Sequence, residues 1–407
     1  MRTILVTAYD VNPYKGSESG MGWNFIRQLA RFYRVVAITR QNNRKHIERF
    51  LEEFKLSLPN LEFRYYDLPK ALRFWKRGPR GSSLYFYLWQ ITMPAFIRAS
   101  GLQFDLAHNL NFHADWAPSM LWTFGKPFIW GPIGHHPKIP PEFMRDYGFD
   151  EKLKDQLKWM AKQGFWSFDA LLWMTRRKAD LVFCMNSSVA DALRLEPGKV
   201  AILPSVGSED PGPPPQRHSE KFRVISVGRF VPLKGFDVTL RSFTAFFRRL
   251  TEEERARVEL VLVGAGPERD FLKRLSESLD VRGNVRFIDW MDRRRLHELY
   301  RASSCFLFPS HEGAGMVVAE ALSHGLPVVC FDNVGPGELI DEGSGVRVPY
   351  GSYEQAVHGF ADALWSLYAD EDRRNALSKG ARRRFETWLD WNAKGEFMHK
   401  AIEAAFP

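Results

Sequence analysis

Pro309-Ser310-His311-Glu312-Gly313-Ala314-Gly315-Met316-Val317-Val318-Ala319-Glu320-Ala321-Leu322-Ser323-His324-Gly325-Leu326-Pro327 carries the most specific pattern in the chain. It follows the apolar run 306–308 and reads as a strand end, a Gly-containing turn, a helix opening near Ala314, and a stop at Gly325-Leu326-Pro327. The small residues Gly313, Ala314, Gly315 and Met316 place backbone N–H groups at a helix N-terminus, where an anion can approach closely enough to accept from them. Glu312 precedes the turn, and Glu320 lies about two helical turns further on, near enough the same face to meet the other end of a bound ligand. A glutamate pair at this spacing is by itself a frequent accident. The frame is not: strand, Pro-Ser, Glu-Gly-x-Gly, Glu-Ala-Leu, then Gly-x-Pro-Val-Val entering another strand.

A chain of 407 residues is too long for one ordinary core, so two domains of about 200 residues are expected. The formal net charge is +9, unevenly spread. Up to Ser205 there are 29 basic and 18 acidic residues; beyond it there are 28 and 30. The basic half implies an anionic partner, either a membrane surface or a phosphate-bearing acceptor, or else a solvated surface that keeps the protein soluble. Cys184, Cys305 and Cys330 each sit in an apolar run, with no metal-ligand or disulfide spacing, as expected of a reducing cytoplasm. Met1-Arg2 runs directly into the strand 3–8, leaving no room for a signal peptide. The most apolar stretch, 165–175, carries Asp169 and is far shorter than the roughly 20 residues a span requires.

The N-terminal half opens as strand 3–8, polar loop 10–19, amphipathic helix 21–32 and strand 33–39. Its loop carries Gly16, Gly20 and Gly22; such loops hold phosphate or simply turn, and these glycines lie too late and at the wrong spacing for a dinucleotide fingerprint. Lys70, Arg73, Lys76, Arg77 and Arg80 alternate with Phe74 and Trp75, as in an interfacial segment or an ordinary aromatic-covered core. The stretch 150–178, helical and rich in Lys and Trp, offers a second such face. His108 ends a short strand, and the following loop carries His113. A strand then passes into Trp130-Gly131-Pro132.

The Pro/Gly-rich segment 207–215 cannot enter a helix or a sheet interior and reads as a linker. The division expected is 1–205 for a first Rossmann-like domain, 206–219 for the linker, 220–385 for a second domain and 386–407 for a terminal helix. Strand-helix alternation on both sides argues for an α/β protein of two doubly wound domains. After the strand 222–228 come Arg229 and Lys234, two cations on a loop at the carboxyl end of a strand, where open α/β sheets bind ligands. Gly264-Ala265-Gly266 also follows a strand, but Pro267 and Asp270 break a dinucleotide pattern. Asp370-Glu371-Asp372 reads as a helix cap, not a metal site.

The frame around Glu312 and Glu320 resembles the Glu-x7-Glu motif of the retaining glycosyltransferases of GT-B fold, family 4 (glycosyl transferases group 1). The resemblance covers nearly the whole chain and is most specific in the C-terminal half. It implies two Rossmann-like domains facing a cleft, with the terminal helix 386–407 crossing back to the first. It also implies transfer of a sugar from a UDP- or GDP-linked donor to a glycan or lipid-linked acceptor, as in polysaccharide biosynthesis. Arg229 and Lys234 match the family's diphosphate-binding pair. Glu320 falls where the family holds ribose hydroxyls, and Glu312 where it meets the sugar near the reacting carbon. Gly16 corresponds to the Gly-bearing loop facing the diphosphate. His113, favoured over His108, corresponds to a sugar-contacting histidine shortly before a helix beginning Ala117-Pro118-Ser119. The base is expected beside Trp290 and Met291. Gly335-Pro336-Gly337-Glu338 departs from the family's Gly-Gly-x-x-Glu by one Pro. Neither a metal nor a cofactor is implied, nor a nucleic acid. The expected location is cytoplasmic, with peripheral contact to an anionic membrane through the basic half. A nucleotide-sugar epimerase of the same fold and an NAD-dependent oxidoreductase are the rival readings.

Overall fold

The computed structural model describes residues 1–76, 78, 81–110, 114–145, 148–214 and 221–407. The chain divides into two compact units. The first comprises Met1–His135, Leu153–Ser205 and Trp391–Pro407; the second comprises His136–Lys152 and Val206–Asp390.

In the first unit a parallel sheet is formed by β1 (Thr3–Thr7), β2 (Arg34–Thr39), β3 (Leu61–Tyr65), β4 (Leu106–Asn109), β5 (Phe128–Ile133), β6 (Leu181–Cys184) and β7 (Val200–Ile202). Its order is β3-β2-β1-β4-β5-β6-β7, with Ile4 opposite Val35 on one side and Leu106 on the other. Being covered on both faces, the inner strands are continuous apolar runs and not alternating ones. The first helix, Ser17–Leu29, starts before the expected residue 21 and takes Gly20 and Gly22 into its opening turns. Gly20 allows a close approach there, since a Cβ on it would lie 2.1 Å from the Lys15 carbonyl oxygen. The helix Trp391–Ala405 belongs to this unit, with Trp391 edge-on to Phe25 at 5.2 Å and the buried Lys394 ammonium donating to the Pro204 carbonyl at 2.7 Å.

In the second unit β8 (Phe222–Val227), β9 (Val258–Val263), β10 (Val285–Ile288), β11 (Cys305–Phe308), β12 (Val328–Phe331) and β13 (Gly345–Val348) form a parallel sheet in the order β10-β9-β8-β11-β12-β13. The direction of winding reverses between β8 and β11. Loops leaving the carboxyl ends of these neighbours therefore diverge and leave a crevice, the usual ligand position of an open α/β sheet.

Two segments differ from the sequence reading. Residues 136–152, placed there within 1–205, pack in the second unit: Ile139 and Phe143 enter its core, and the Phe143 ring lies parallel to Tyr350 at 5.5 Å. Apolar anchors spaced along an irregular segment carry no periodicity that assigns them to a domain. The described part of the expected linker, 206–214, is strapped to the same unit. Ser208 N–H donates to the Leu389 carbonyl at 3.0 Å, and Arg382 reaches Asp210 at 2.6 Å and the Gly212 carbonyl at 3.1 Å. Residues 215–219 of that linker lie outside the described residues. Ala117-Pro118-Ser119, read as a helix start, is irregular and leads into a short 3-10 turn, Leu121–Phe124. Asp370 caps the helix Glu371–Arg384 by accepting from Arg373 N–H at 2.8 Å, as its sequence position indicated.

Candidate active site

The loop after β8 is built on Gly235, whose φ of 64° is left-handed and whose Cβ, if present, would stand 2.1 Å from the Pro309 carbonyl oxygen. Only glycine lets this loop dock on the turn after β11. The docking is then completed by hydrogen bonds from His311 N–H and the Ser310 hydroxyl to the Leu233 carbonyl, at 2.9 and 3.1 Å. On its other side the loop rests on Gly264 and Gly266, where a Cβ would come within 1.8 Å of the Gly228 oxygen and 2.3 Å of the Phe230 oxygen. This Gly-x-Gly thus serves backbone packing between loops, so its glycines are spent on protein and not on a dinucleotide.

The docked loops bring Lys234 onto Glu312. The ammonium lies 2.5 Å from Glu312 Oε2 and 5.1 Å from the Phe308 ring centre, and both charged side chains are largely buried, at 16% and 13% exposure. The other carboxylate oxygen, Glu312 Oε1, is buried with no hydrogen-bond partner among the described residues. Arg229, on the same loop, is exposed. A buried pair with one unsatisfied oxygen, beside an exposed guanidinium, is a set of charges arranged for a polar guest.

The helix that follows runs Met316–Ser323, starting two residues after the expected Ala314. Gly315 has φ 148° and cannot be helical, which sets the start. Gly313 N–H is not open to solvent as expected: it donates to His136 Nδ1 at 3.0 Å. Behind this turn, Gly335 has φ 103°, and its Cβ would sit 2.5 Å from the Glu312 oxygen. Pro336, the departure noted in the sequence, takes the first position of the short helix Pro336–Leu339, where a missing N–H costs nothing. At the far end of the helix Met316–Ser323, Glu320 Oε2 accepts from the Tyr300 hydroxyl at 3.3 Å. Burial raises the Glu320 pKa, opposed by the charge of Arg293 and the Tyr300 hydrogen bond; burial likewise pushes the Tyr300 phenol well up.

Arg229, Lys234, Glu312, Gly313, Ala314, Gly315, Met316 and Glu320 are therefore gathered on adjoining loops and one helix. Trp290 and Met291 stand apart at the carboxyl end of β10, with β9 between that strand and β8; Trp290 is 80% exposed and Met291 half-buried. Gly16 lies in the first unit as the N-cap of the helix Ser17–Leu29. His113 lies outside the described residues. His108 is a core residue: its Nε2 is 2.6 Å from the Gly131 carbonyl, and burial, partly offset by that bond, lowers its pKa to about 4. Sequence reasoning missed His136, whose only signal was its place just after the Trp-Gly-Pro segment.

The two doubly wound α/β sheets have the GT-B fold. Residues 213–384 match the family model described as glycosyl transferases group 1. Over 185 residues it is 36% identical to a lipopolysaccharide core biosynthesis glycosyltransferase, LpsE, of Rhizobium meliloti, a match covering 45% of this chain and 48% of that protein. The chain thus spans about half the length of the curated relatives it matches. Among solved structures, sucrose-phosphate synthase from Thermosynechococcus elongatus superposes with a TM-score of 0.66 at 19% identity, covering 100% and 99% of the two chains. The Anabaena HepE protein solved with UDP gives a TM-score of 0.60 at 15% identity, covering 99% and 100%.

Proposed function

We propose that this protein is a retaining glycosyltransferase of the family 4 type, moving a sugar from a UDP- or GDP-linked donor to a glycan or lipid-linked acceptor of polysaccharide biosynthesis. The observation that carries the reading is the Lys234–Glu312 pair, 2.5 Å apart at the entrance to the helix that bears Glu320. When a donor enters, its diphosphate replaces Glu312 as the partner of Lys234, with Arg229 adding a second cation and the N–H groups at residues 314–316 adding dipoles. The freed Glu312 carboxylate accepts from sugar hydroxyls. Glu320, held by Tyr300, accepts from the ribose hydroxyls, and Trp290 and Met291 flank the base.

In the reaction the bond between the anomeric carbon and the β-phosphate oxygen breaks with its electron pair passing to the phosphate. The acceptor oxygen bonds to the same face of that carbon, and its proton goes to the departing phosphate. The cations that neutralise the leaving group are side chains, so the proposal requires no metal. A thermal-shift panel of UDP-, GDP- and ADP-sugars in excess EDTA tests the reading: a ligand at a hundredfold its Kd adds about 2.7 kcal/mol. Stabilisation by one nucleotide class that vanishes in Lys234→Ala supports it; dependence of every shift on added magnesium or manganese would refute it.

Peripheral contact with an anionic membrane is supported by the basic first half, in which Phe74 and Phe168 are 80% and 88% exposed and Leu157 and Met160 stand exposed on the Lys-rich helix Phe149–Phe168. Among the described residues no helix is long and apolar enough to cross a membrane. Co-sedimentation with vesicles containing phosphatidylglycerol, but not with pure phosphatidylcholine, is the expected outcome; equal recovery with both would count against it.

A further inference from the structure

The turn 312–315 is held from outside its own sequence neighbourhood. Gly335 blocks one side, with room for no side chain, and Gly313 N–H ends on His136 Nδ1, from 177 residues earlier in the chain. His136 opens the segment His136–Lys152, whose seating within the second unit is extensive. Ile139 and Phe143 are buried in its core. Glu142 accepts from Tyr353 N–H at 3.1 Å at the start of the helix Tyr353–Ala369, and Arg145 lies 3.9 Å from the Tyr353 ring centre and 3.2 Å from Glu354. The imidazole is thereby anchored from behind.

Gly313 is itself buried, and its N–H donates to His136 Nδ1 at 3.0 Å; removing that acceptor loosens the hold on the turn. Moving that turn moves Glu312 and the N–H groups of residues 314–316 together.

We propose that His136 is a positioning residue of the donor site: by accepting from Gly313 N–H it fixes the anion-binding turn, so that a nucleoside diphosphate meets donors already aimed at it. The inference rests on the donor site proposed above. Its chemistry asks only for an acceptor at the Nδ1 position, which the side-chain oxygen of asparagine reproduces and alanine does not.

The test is calorimetric titration of UDP and of GDP into the full chain and three variants. His136→Ala is expected to raise the Kd of whichever nucleotide binds by about tenfold, the value of one hydrogen bond to a charged site, with the fold retained. His136→Asn is expected to restore binding to within about twofold of wild type, within the scatter of a single hydrogen bond. Lys234→Ala loses binding in either case. Wild-type affinity in His136→Ala, with Lys234→Ala impaired, would overturn the role of His136 and leave the donor site standing; equal losses in the Ala and Asn variants would overturn it as well. Failure of the wild type to bind either nucleotide would overturn both.

Discussion

Lys234 and Arg229 sit on one loop in opposite circumstances, which separates what each contributes. In the proposed reaction, replacing either by Ala removes a cation from the departing diphosphate, and turnover is expected to fall on the order of a hundredfold or more. Only Lys234→Ala also strands Glu312, whose side chain is 13% exposed. That variant should therefore lose about 1–3 kcal/mol of stability, while the exposed Arg229→Ala stays within about 0.5 kcal/mol. Denaturant titration beside a turnover assay checks both; equal stability of the two would contradict the buried pair. His108 and His311 are titratable residues of a different kind, kept neutral by burial. Their pKa values fall from 6.5 to about 4 and about 3, respectively, against an unfolded chain that takes up protons near the ordinary value. Their contribution is fully present above pH 6.5 and is lost as pH falls toward the folded values, by about 1.4 kcal/mol per pH unit for each ring. His108→Gln, which keeps a donor toward Gly131 without a titrating ring, should lose less stability than wild type between pH 6.5 and 4.5. Parallel urea titrations measure it, and identical pH slopes would sink the assignment.

Among elements, the site depends on loops whose close approach requires glycine. Gly235→Ala and Gly335→Ala add a methyl group at positive φ, 2.1 and 2.5 Å from backbone oxygens of the turn bearing Glu312. Each should cost at least about 1–3 kcal/mol and abolish nucleotide binding: the first separates the loop carrying Arg229 and Lys234 from that turn, and the second displaces the turn itself. Gly283→Ala, whose Cβ meets nothing within 4 Å, is the silent control. Nucleotide affinity retained in Gly235→Ala would show that the docking does not organise the site. These contacts explain what was legible in the sequence. The strands and the spacing of Glu312 from Glu320 are local patterns, read from apolar runs and helical periodicity. The N–H of Gly313 ending on His136 is a contact between distant stretches, and no local period announces it. The helix start at Met316 in place of Ala314 follows from the φ of Gly315, which glycine permits but composition does not reveal.

At the scale of the whole molecule, strand-helix alternation foretold two doubly wound sheets, and the described residues form them, of seven and six parallel strands. What alternation could not supply was the allocation of irregular segments. Residues 136–152 join the second unit because Ile139 and Phe143 find its core, and 206–214 do so because Arg382 and Arg301 hold their carbonyls and Asp210. Charge was legible as an excess in the first half, but its consequence for a membrane is a matter of surface and not of fold. The central claim is that a nucleotide-sugar donor is activated by side-chain cations and leaves from the face the acceptor attacks. Time-resolved NMR of an α-linked UDP- or GDP-sugar incubated with the protein tests it most directly, by following the anomeric coupling of the first sugar product. Release of the nucleoside diphosphate with an α-configured product is expected; a β-configured first product would contradict departure and attack on one face.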